Sequence, residues 1–468
     1  MRNIFGTSGI RGVLGRTHNI YDIVKIISAV DEYFGKGNVL IGWDCRIHSY
    51  PLAKLASSIL LIKGKDVSNC GIISTPAFQA YLKRRGEFKY GLMFTASHNP
   101  PEYFGIKVFD KDGIEITENE ELRISELYYN FGRDYDLQIK WEISKSKEID
   151  ITKEVIEEYI HTITNFFPDF SNFIYNLKLA ADYANCSSLV TAGEYLSRRF
   201  TNVIHINNVI DGRFPGRLPE PKPENIKNIV SELIGRIDLG VAFDGDGDRG
   251  MVFDGKGRIY WGDEIGVLIS YFLKDSYNID RIVTPISSSK ILLNILEKKD
   301  IEIIWTKVGA KNVVEKMVKE NIIFGFEENG GLIYLPHIAG RDGLVTFLFT
   351  LKLLDKEKKK LDEIANLIPN NYVIKRSVKI DGNKHEVFEQ IKTKLIEKFL
   401  DKTTELIEID GVKLTFKNET SILVRPSGTE PLIRIFTEAR NREEAIKLNN
   451  DIFELIIQIR SSNKAESP

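Results

Sequence analysis

Short apolar runs alternate with longer amphipathic stretches along the first part of the chain. Runs rich in β-branched residues predict strands, and the stretches between them repeat their apolar residues at helical spacing. The predicted strands lie at 39–43, 66–72 and 90–94, and the predicted helices lie at 21–34, at 51–63 and from Pro76 onward. This alternation is typical of a sheet covered by helices, so the pattern predicts an α/β fold.

A polar, charged segment at 133–150 interrupts the alternation, which then resumes with a predicted helix at 152–167. It continues through a strand at 237–243 and a helix at 344–354. After Pro369 the pattern changes to strand, helix, three closely spaced strands and a final helix. That order indicates a small α+β domain with an antiparallel sheet.

The chain has 468 residues, whereas a single hydrophobic core stops growing near about 250–300 residues. We therefore predict three consecutive mixed-sheet α/β domains followed by a C-terminal α+β domain. The predicted boundaries are 1–150, 151–250, 251–366 and 367–468.

The composition is that of an ordinary globular protein, with 43% hydrophobic and 28% charged residues and a formal net charge of −2. There is no basic excess to attract nucleic acid, and no apolar run approaches the roughly 18 residues of a membrane span. We expect a cytoplasmic protein with neither a nucleic-acid nor a membrane partner. Cys45, Cys70 and Cys186 lack CxxC spacing, so we predict buried thiols and no disulfide or thiolate metal site.

Three aspartates, Asp244, Asp246 and Asp248, alternate with glycines directly after the predicted strand at 237–243. A calcium loop of the EF-hand type would need Gly and Glu where the chain has Arg249 and Gly255. A plain Asp-Gly turn is the other interpretation, but it gives no reason to crowd three mutually repelling carboxylates. Oxygen ligands without His or Cys favour Mg²⁺.

Ser97 lies in the sequence Thr95-Ala-Ser-His-Asn-Pro100, which follows the predicted strand at 90–94. Ligands of open α/β sheets bind beyond the carboxyl ends of strands, which is where this places Ser97. A serine hydroxyl becomes a nucleophile when a base or a metal assists it. The alternative is a tight Asn-Pro turn. Taken with the carboxylate loop, Ser97 points to phosphoryl transfer, with the two loops facing each other across a cleft.

Two later loops offer groups suited to a sugar phosphate. The sequence Arg425-Pro-Ser-Gly-Thr-Glu-Pro431, with Arg434 nearby, provides a guanidinium, hydroxyls and a glycine amide for a phosphate. The sequence Phe326-Glu-Glu-Asn-Gly-Gly331 provides carboxylates and an amide for sugar hydroxyls. Each loop alone could be an ordinary connection.

Five segments in this order resemble the motifs of the α-D-phosphohexomutase superfamily, and most closely those of the prokaryotic phosphoglucomutase/phosphomannomutase family. They are Phe5-Gly-Thr-Ser-Gly-Ile-Arg-Gly12, Thr95–Pro100, Asp244-Gly-Asp-Gly-Asp-Arg249, Glu327–Gly331 and Arg425–Pro431. The resemblance spans nearly the whole chain. It implies four domains in a heart shape around a central active-site cleft.

The resemblance also implies a Mg²⁺-dependent enzyme that interconverts hexose 1-phosphate and hexose 6-phosphate, with glucose or mannose as the sugar. Phosphoserine and a hexose 1,6-bisphosphate would be intermediates, and glucose 1,6-bisphosphate would be the activator. Sugar phosphates would be the small-molecule partners, and the protein would be a monomer or homodimer. The matching catalytic residues are Ser97, His98, Lys107, Arg11 and Arg249; the metal ligands are Ser97, Asp244, Asp246 and Asp248; and the substrate contacts are Thr306, Gly309, Glu327, Asn329, Arg425, Ser427, Gly428, Thr429 and Arg434.

Departures from the family pattern leave the sugar open. Asn329 and Gly331 replace a serine and a histidine found in many members, and Ala310 replaces another histidine. Glucosamine phosphate is therefore the alternative substrate. A non-catalytic sugar-phosphate-binding relative and an aspartyl phosphatase are further alternatives, but the first has no need of nucleophile, metal loop and lysine together, and the second has no need of Ser97.

Overall fold

The computed structural model describes residues 3–131, 146–380, 383–427 and 431–465. The chain forms two compact units, one with residues up to 262 together with 329–363, and one with residues 263–328 together with those from 364 onward. The predicted class is confirmed, since three α/β segments precede an antiparallel C-terminal sheet. No helix within the described ranges is long and apolar enough to cross a bilayer. The cytoplasmic location stays a prediction.

The first sheet is mixed and contains the three strands that were predicted for this region, together with three that were not. Its strands are β1 (Ile10–Val13), β2 (Asn38–Trp43), β3 (Val67–Ile72), β4 (Phe88–Phe94), β5 (Tyr103–Asp110) and β6 (Glu148–Asp150), and its helices are α1 (Ile20–Phe34), α2 (Ser49–Ile62), α3 (Thr75–Arg85) and α4 (Glu118–Asn130). The strand order is β1-β5-β4-β2-β3-β6. Two of the three unpredicted strands, β1 and β5, run antiparallel to each other at one end of the sheet. They carry Arg11 and Lys107, respectively.

Local sequence sets the bounds of these helices. Asn19 and Asp22 form a reciprocal capping box at the start of α1, and Gly35 ends that helix with φ of 72°. The inward face of α1 packs with α2 on strands β2 and β4 in a core of aliphatic and aromatic side chains. This rigid layer holds the carboxyl ends of β2 and β4.

The second sheet has strand order β11-β10-β9-β7-β8. Its strands are β7 (Leu179–Asp182), β8 (Val203–Ile206), β9 (Leu239–Phe243), β10 (Gly250–Asp254) and β11 (Ile259–Tyr260), and its helices are α5 (Thr152–Phe166), α6 (Asn172–Tyr175), α7 (Glu194–Arg199) and α8 (Pro223–Leu233). Strand β10 pairs antiparallel with β9, so this sheet continues past residue 250. The loop between β9 and β10 carries the three aspartates. The predicted segment 133–150 lies largely outside the described residues, and the domain boundaries stay predictions.

The third segment of the chain is shared between the two units. Its elements are α9 (Gly262–Tyr277), β12 (Arg281–Pro285), α10 (Lys290–Glu297), β13 (Glu302–Thr306), α11 (Ala310–Glu320), β14 (Phe324–Glu327), β15 (Gly331–Tyr334), α12 (Gly343–Glu357) and α13 (Leu361–Ile364). In the second unit, β12 lies between β13 and β14 and runs parallel to both. In the first unit, the Asp342 side chain caps α12 by accepting the backbone N–H groups of Leu344 and Val345.

The C-terminal domain is an antiparallel sheet in the order β16-β20-β19-β18-β17 with two helices. Its elements are β16 (Tyr372–Lys379), α14 (Lys384–Phe399), β17 (Thr403–Ile407), β18 (Val412–Phe416), β19 (Ser421–Pro426), β20 (Leu432–Ala439) and α15 (Arg442–Ala465). Strand β17 was not predicted. Leucine, isoleucine and valine side chains of the sheet pack against α14 and α15, which leaves the β19–β20 connection at one end of the sheet.

The prediction for the cysteines was wrong for two of the three. Cys45 and Cys186 form a disulfide, with Cα atoms 5.1 Å apart. Each follows the carboxyl end of a strand, β2 and β7, in two different sheets, and 141 residues separate them in sequence. Packing of the two sheets brings the sulfurs together, and no local spacing indicates such a pair. Cys70 is a buried free thiol, as predicted.

Candidate active site

Ser97 lies in the turn that follows β4, and its side chain is fully buried. Its backbone has φ of 50°, in the left-handed region, and its N–H donates to Thr95 Oγ1 at 2.8 Å. The hydroxyl donates to Asp244 Oδ2 at 2.8 Å and lies 3.4 Å from His98 Nδ1. A non-glycine residue in this region is strained and needs support from its surroundings. The turn therefore directs a serine hydroxyl at the carboxylate loop.

The three aspartates of that loop are buried, with Asp244 and Asp246 fully enclosed and Asp248 4% exposed. One carboxylate oxygen from each lies within 4.8 Å of the others. The glycines between them are required by geometry. A Cβ on Gly245 would lie 2.5 Å from the carbonyl oxygen of Ser97, and Gly247 has φ of 74°.

Cations from other elements balance these carboxylates. Lys107 on β5 donates to Asp246 Oδ2 at 2.7 Å and to Asp248 Oδ2 at 3.1 Å. The Arg341 guanidinium donates to Asp248 Oδ2 at 2.7 Å. Thr75, at the start of α3, also donates its hydroxyl to Asp246 Oδ2 at 2.7 Å. The Oδ2 atoms of Asp246 and Asp248 are thus fully engaged by protein donors.

The other oxygens of the same carboxylates fit a metal ion. Asp246 Oδ1 and Asp248 Oδ1 are buried and have no hydrogen-bond partner. A buried acceptor without a partner costs free energy, so two converging ones call for a cation. Mg²⁺ binds a few carboxylates together with phosphate oxygens. Asp244, Asp246 and Asp248 could hold such an ion, and an oxygen on Ser97 could complete the set.

Burial and neighbouring charges shift the pKa values of Asp244, Asp248 and His98 in different directions. Burial, reinforced by Asp248 and Asp246, raises the pKa of Asp244 well above its usual range. Burial would also raise the pKa of Asp248, but Arg341, Lys107 and Arg249 hold it well below its usual range. Burial, together with Arg249 and Arg11, lowers the pKa of His98 well below its ordinary value. His98 is therefore a neutral imidazole at neutral pH.

Two arginines line the same cluster with donors still available. Arg11 on β1 donates to Asn99 Oδ1 at 2.7 Å, and its Nε has no hydrogen-bond partner. Arg249 Nε also lacks a hydrogen-bond partner and lies 3.8 Å from Asp248 Oδ1. Guanidinium donors of this kind suit phosphate oxygens.

A second cluster lies within the second unit, at the β19–β20 end of the C-terminal sheet. Arg425 on β19 is directly opposite Arg434 on β20, and its guanidinium pairs with Asp410 at 2.8 Å. Arg425 Nε and the Ser427 hydroxyl are buried without a hydrogen-bond partner. These donors fit a phosphate. Gly428 and Thr429, the other two predicted contacts of this loop, lie outside the described residues.

The predicted sugar contacts follow the carboxyl ends of parallel strands. Thr306 ends β13 and Gly309 precedes α11 with φ of 122°, while the backbone N–H of Val308 between them donates to Asp410 at 3.1 Å. Glu327 ends β14 and is buried. In the first unit, Asn329 Oδ1 is buried without a hydrogen-bond partner. Asp410 therefore ties the turn that follows β13 to the Arg425 loop.

The structure thus gathers the predicted catalytic and metal residues into one cluster in the first unit. It adds supporting residues that sequence reasoning missed, namely Asp44, Arg46, Thr75 and Arg341. Asp44 and Arg46 directly follow β2, and this position beyond a parallel strand was a usable signal. Arg341 lies in the loop between β15 and α12, where no pattern indicated a role.

Comparisons with known proteins find similar sequences over nearly the whole chain. Models of the phosphoglucomutase/phosphomannomutase domains match in order, with alpha/beta/alpha domain I at residues 2–131, domain II at 157–257, domain III at 261–372 and the C-terminal domain at 356–455. The phosphoglucosamine/phosphogalactosamine mutase of Sulfurisphaera tokodaii is 36% identical over 97% of this chain and 99% of its own. The phosphoglucomutase/phosphomannomutase of Thermococcus kodakarensis is 32% identical over 95% and 96%.

Solved structures share the fold over the same length. A phosphoglucomutase/phosphomannomutase family protein from Burkholderia thailandensis superposes with a TM-score of 0.80 at 21% identity, covering 98% of this chain and 97% of that one. N-acetylphosphoglucosamine mutase from Aspergillus fumigatus, solved in complex with GlcNAc-6P and magnesium, has a TM-score of 0.61 at 14% identity and covers 97% and 96%.

Replacing Asp246 by Asn should weaken Mg²⁺ binding by at least about tenfold, because one anionic ligand is lost from a site built of carboxylates. Titration calorimetry with MgCl₂ measures this directly. Asp211→Asn is the matched control, since Asp211 pairs with Arg213 outside the cluster. Equal Mg²⁺ affinity in Asp246→Asn and the wild type would contradict the metal assignment.

Proposed function

The chain belongs to the phosphoglucomutase/phosphomannomutase family, and from this premise we propose that it interconverts the 1-phosphate and 6-phosphate of a hexosamine. It is an intramolecular phosphotransferase of the phosphohexomutase type. The amino sugar is the proposed part. The sequence alone favoured glucose or mannose, with glucosamine as the alternative.

One observation carries the assignment of chemistry. The buried Ser97 hydroxyl lies 2.8 Å from Asp244, beside two aspartate oxygens that have no hydrogen-bond partner. A phosphoryl group on Ser97 would bring oxygens to this cluster, where a cation held by the three aspartates neutralises charge when bound. A nucleophile in a strained turn and a carboxylate cluster aimed at it support transfer of phosphate, which depends mainly on positioning and electrostatics.

The reaction follows two symmetrical transfers. The phosphoryl group leaves Ser97 Oγ and bonds to the free hydroxyl of the sugar monophosphate, which loses its proton, while Ser97 Oγ regains one. The product is a hexosamine 1,6-bisphosphate. After the sugar has turned around, Ser97 Oγ loses its proton and bonds to the other phosphoryl group. The sugar oxygen that this group leaves gains a proton, and the isomeric monophosphate departs. A hexosamine 1,6-bisphosphate therefore also phosphorylates Ser97 of the free enzyme, which is the role that the family resemblance implied for glucose 1,6-bisphosphate.

Lys107 suits the proton-donating side of these steps. Burial would lower the pKa of Lys107, but Asp246 and Asp248 outweigh it and raise the pKa above the ordinary lysine value. The ammonium form can donate to an oxygen that develops charge. Arg11 and Arg249 supply additional positive charge for the transferring phosphoryl group. His98, neutral and 3.4 Å from Ser97 Oγ, can hydrogen-bond to that group.

The choice of an amino sugar rests on the relatives. The mutase of Sulfurisphaera tokodaii is named for both glucosamine and galactosamine phosphates, and the match covers almost the entire length of both proteins. A phosphoglucosamine mutase from Methanocaldococcus jannaschii is also 32% identical over 96% of this chain. The relative from Thermococcus kodakarensis supports the second candidate, a glucose or mannose phosphate. Mannose and glucose phosphates differ from glucosamine phosphate only at C2.

A side-by-side rate comparison tests the substrate. With Mg²⁺ and the matching bisphosphate, kcat/KM should be at least about tenfold higher for glucosamine 1-phosphate than for glucose or mannose 1-phosphate, the low end of discrimination from one substituent. Isomerisation is followed by phosphorus NMR, which needs no coupling enzyme. A higher kcat/KM for glucose or mannose 1-phosphate would contradict the amino-sugar proposal and make the neutral sugar the substrate.

Replacing Ser97 by Ala should lower kcat by several orders of magnitude, because the phosphoryl carrier is lost. Binding of the sugar phosphate, measured by calorimetry, should persist. Ser231→Ala is the matched control, since that exposed serine only donates to a carbonyl in α8. If Ser97→Ala retained wild-type turnover, another residue would have to carry the phosphoryl group.

We assign the Arg425 loop to the phosphate that is not reacting. Arg425→Ala should reduce kcat/KM by at least about tenfold in both directions, because a charge-assisted hydrogen bond contributes about 1.5–3 kcal/mol. Mg²⁺ affinity should stay unchanged, since this loop provides no metal ligand. Arg440→Ala, which removes an exposed ion pair with Glu419, is the control. An unchanged kcat/KM would reduce the loop to a structural turn.

A further inference from the structure

Arg46 is a buried arginine whose donors converge on the turn that carries Ser97. Its side chain is 1% exposed and pairs with Asp44 at 3.1 Å. The guanidinium donates to four backbone carbonyls, three in the loop that follows β4 and one at the first residue of β5. These are the carbonyls of Ser97 (2.7 Å), Asn99 (2.5 Å), Pro100 (2.7 Å) and Tyr103 (3.4 Å). Only a planar fork of donors can collect carbonyls in this way.

The same stretch of backbone is bonded covalently to the second sheet. Cys45 lies between Asp44 and Arg46 and forms the disulfide with Cys186. The next residue, Ser187, donates its hydroxyl to the carbonyl of Gly245 at 3.0 Å, inside the carboxylate loop. The disulfide therefore joins the support of the Ser97 turn to the support of the metal loop.

The segments around the Cys45–Cys186 disulfide are closely packed, which restricts their movement relative to each other. The Phe214 ring lies 5.0 Å from the Arg46 guanidinium carbon and packs with Cys186 in a small buried cluster. A Cβ on Gly212 would lie 2.3 Å from the Cys45 carbonyl oxygen. The backbone at Gly212 thus packs directly against the Cys45–Arg46 segment.

From these contacts we propose that Arg46 is a positioning residue for Ser97 and that the Cys45–Cys186 disulfide is a brace that sets the distance between the Ser97 turn and the carboxylate loop. The proposal rests on the proposed function of Ser97. It goes beyond it because neither Arg46 nor the cysteines touch the reacting groups. Loss of either should affect the chemical step and Mg²⁺ binding more than it affects KM for the sugar phosphate.

Reduction of the Cys45–Cys186 disulfide in the whole enzyme tests its proposed role as a brace. Dithiothreitol transfers two electrons and two protons to the disulfide, which yields two thiols, and itself closes to a cyclic disulfide. Alkylation and intact mass count the thiols before and after. Reduced enzyme should have a kcat lower by about tenfold and weaker Mg²⁺ binding with KM within about twofold, because a 1 Å misplacement can cost about 100-fold in rate. Glutathione disulfide should restore the starting values.

Two variants control for unrelated effects of the reductant. Cys70→Ala should respond to dithiothreitol as the wild type does, since Cys70 is a free thiol. The double variant Cys45→Ala/Cys186→Ala should start at the reduced level and not respond. If reduction lowered only the melting temperature, with kcat and Mg²⁺ affinity unchanged, the brace would be a structural cross-link and the proposal would be wrong. Free thiols at both positions in the purified, active enzyme would overturn it equally.

Arg46→Lys tests the positioning role separately. The substitution keeps the positive charge but removes the fork, so Ser97 should be phosphorylated by glucosamine 1,6-bisphosphate at least about tenfold more slowly, with sugar-phosphate affinity unchanged. Arg213→Lys, at an exposed ion pair, is the matched control. If the wild type is not phosphorylated, the proposed function fails. If the wild type and Arg46→Lys are phosphorylated equally fast, the positioning role fails while the function stands.

Discussion

Repulsion among three buried carboxylates is the constraint on which the first unit depends. Asp244, Asp246 and Asp248 are buried within a few ångströms of one another, and like charges in such a site cannot all stay ionised without counter-charge. Lys107 comes from β5 and Arg341 from the loop before α12, so distant parts of the chain must meet here. Two carboxylate oxygens, Asp246 Oδ1 and Asp248 Oδ1, are left without a hydrogen-bond partner. A divalent ion fits at these oxygens.

The position of the proposed nucleophile, Ser97, depends on a second constraint, the conformation of its backbone. Ser97 occupies the left-handed region, which costs about 1–3 kcal/mol for a non-glycine residue unless the surroundings enforce it. Hydrogen bonds from Arg46 to the carbonyls of Ser97 and Asn99 provide that enforcement. The hydroxyl consequently reaches Asp244 although the two loops belong to different sheets. The contact between Ser97 and Asp244 therefore depends on the conformation in which the turn is held.

The fold class and much of the candidate site could be predicted from the sequence, because they depend on patterns among residues that are close together in the chain. Alternating strands and helices indicated the fold class, and Ser97 and the Asp244 loop both followed predicted strands. What could not be predicted depends on tertiary contact. Strands β1 and β5 are short or interrupted by glycine, and the sequence of β10 gave no strand signal apart from the loop before it. The Cys45–Cys186 pair exists only because two sheets pack together, so its sequence spacing carried no information.

The central claim is that Ser97 carries the phosphoryl group during the reaction. The most direct test follows one labelled phosphoryl group onto Ser97 and from there to the sugar. Enzyme charged with labelled glucosamine 1,6-bisphosphate and Mg²⁺ is freed of small molecules and mixed with unlabelled glucosamine 1-phosphate in a single turnover. We predict that the label is first found on the peptide containing Ser97 and then moves to the bisphosphate and monophosphate pool. Label on any other residue, or label released from the enzyme only as inorganic phosphate, would contradict a mutase that works through Ser97.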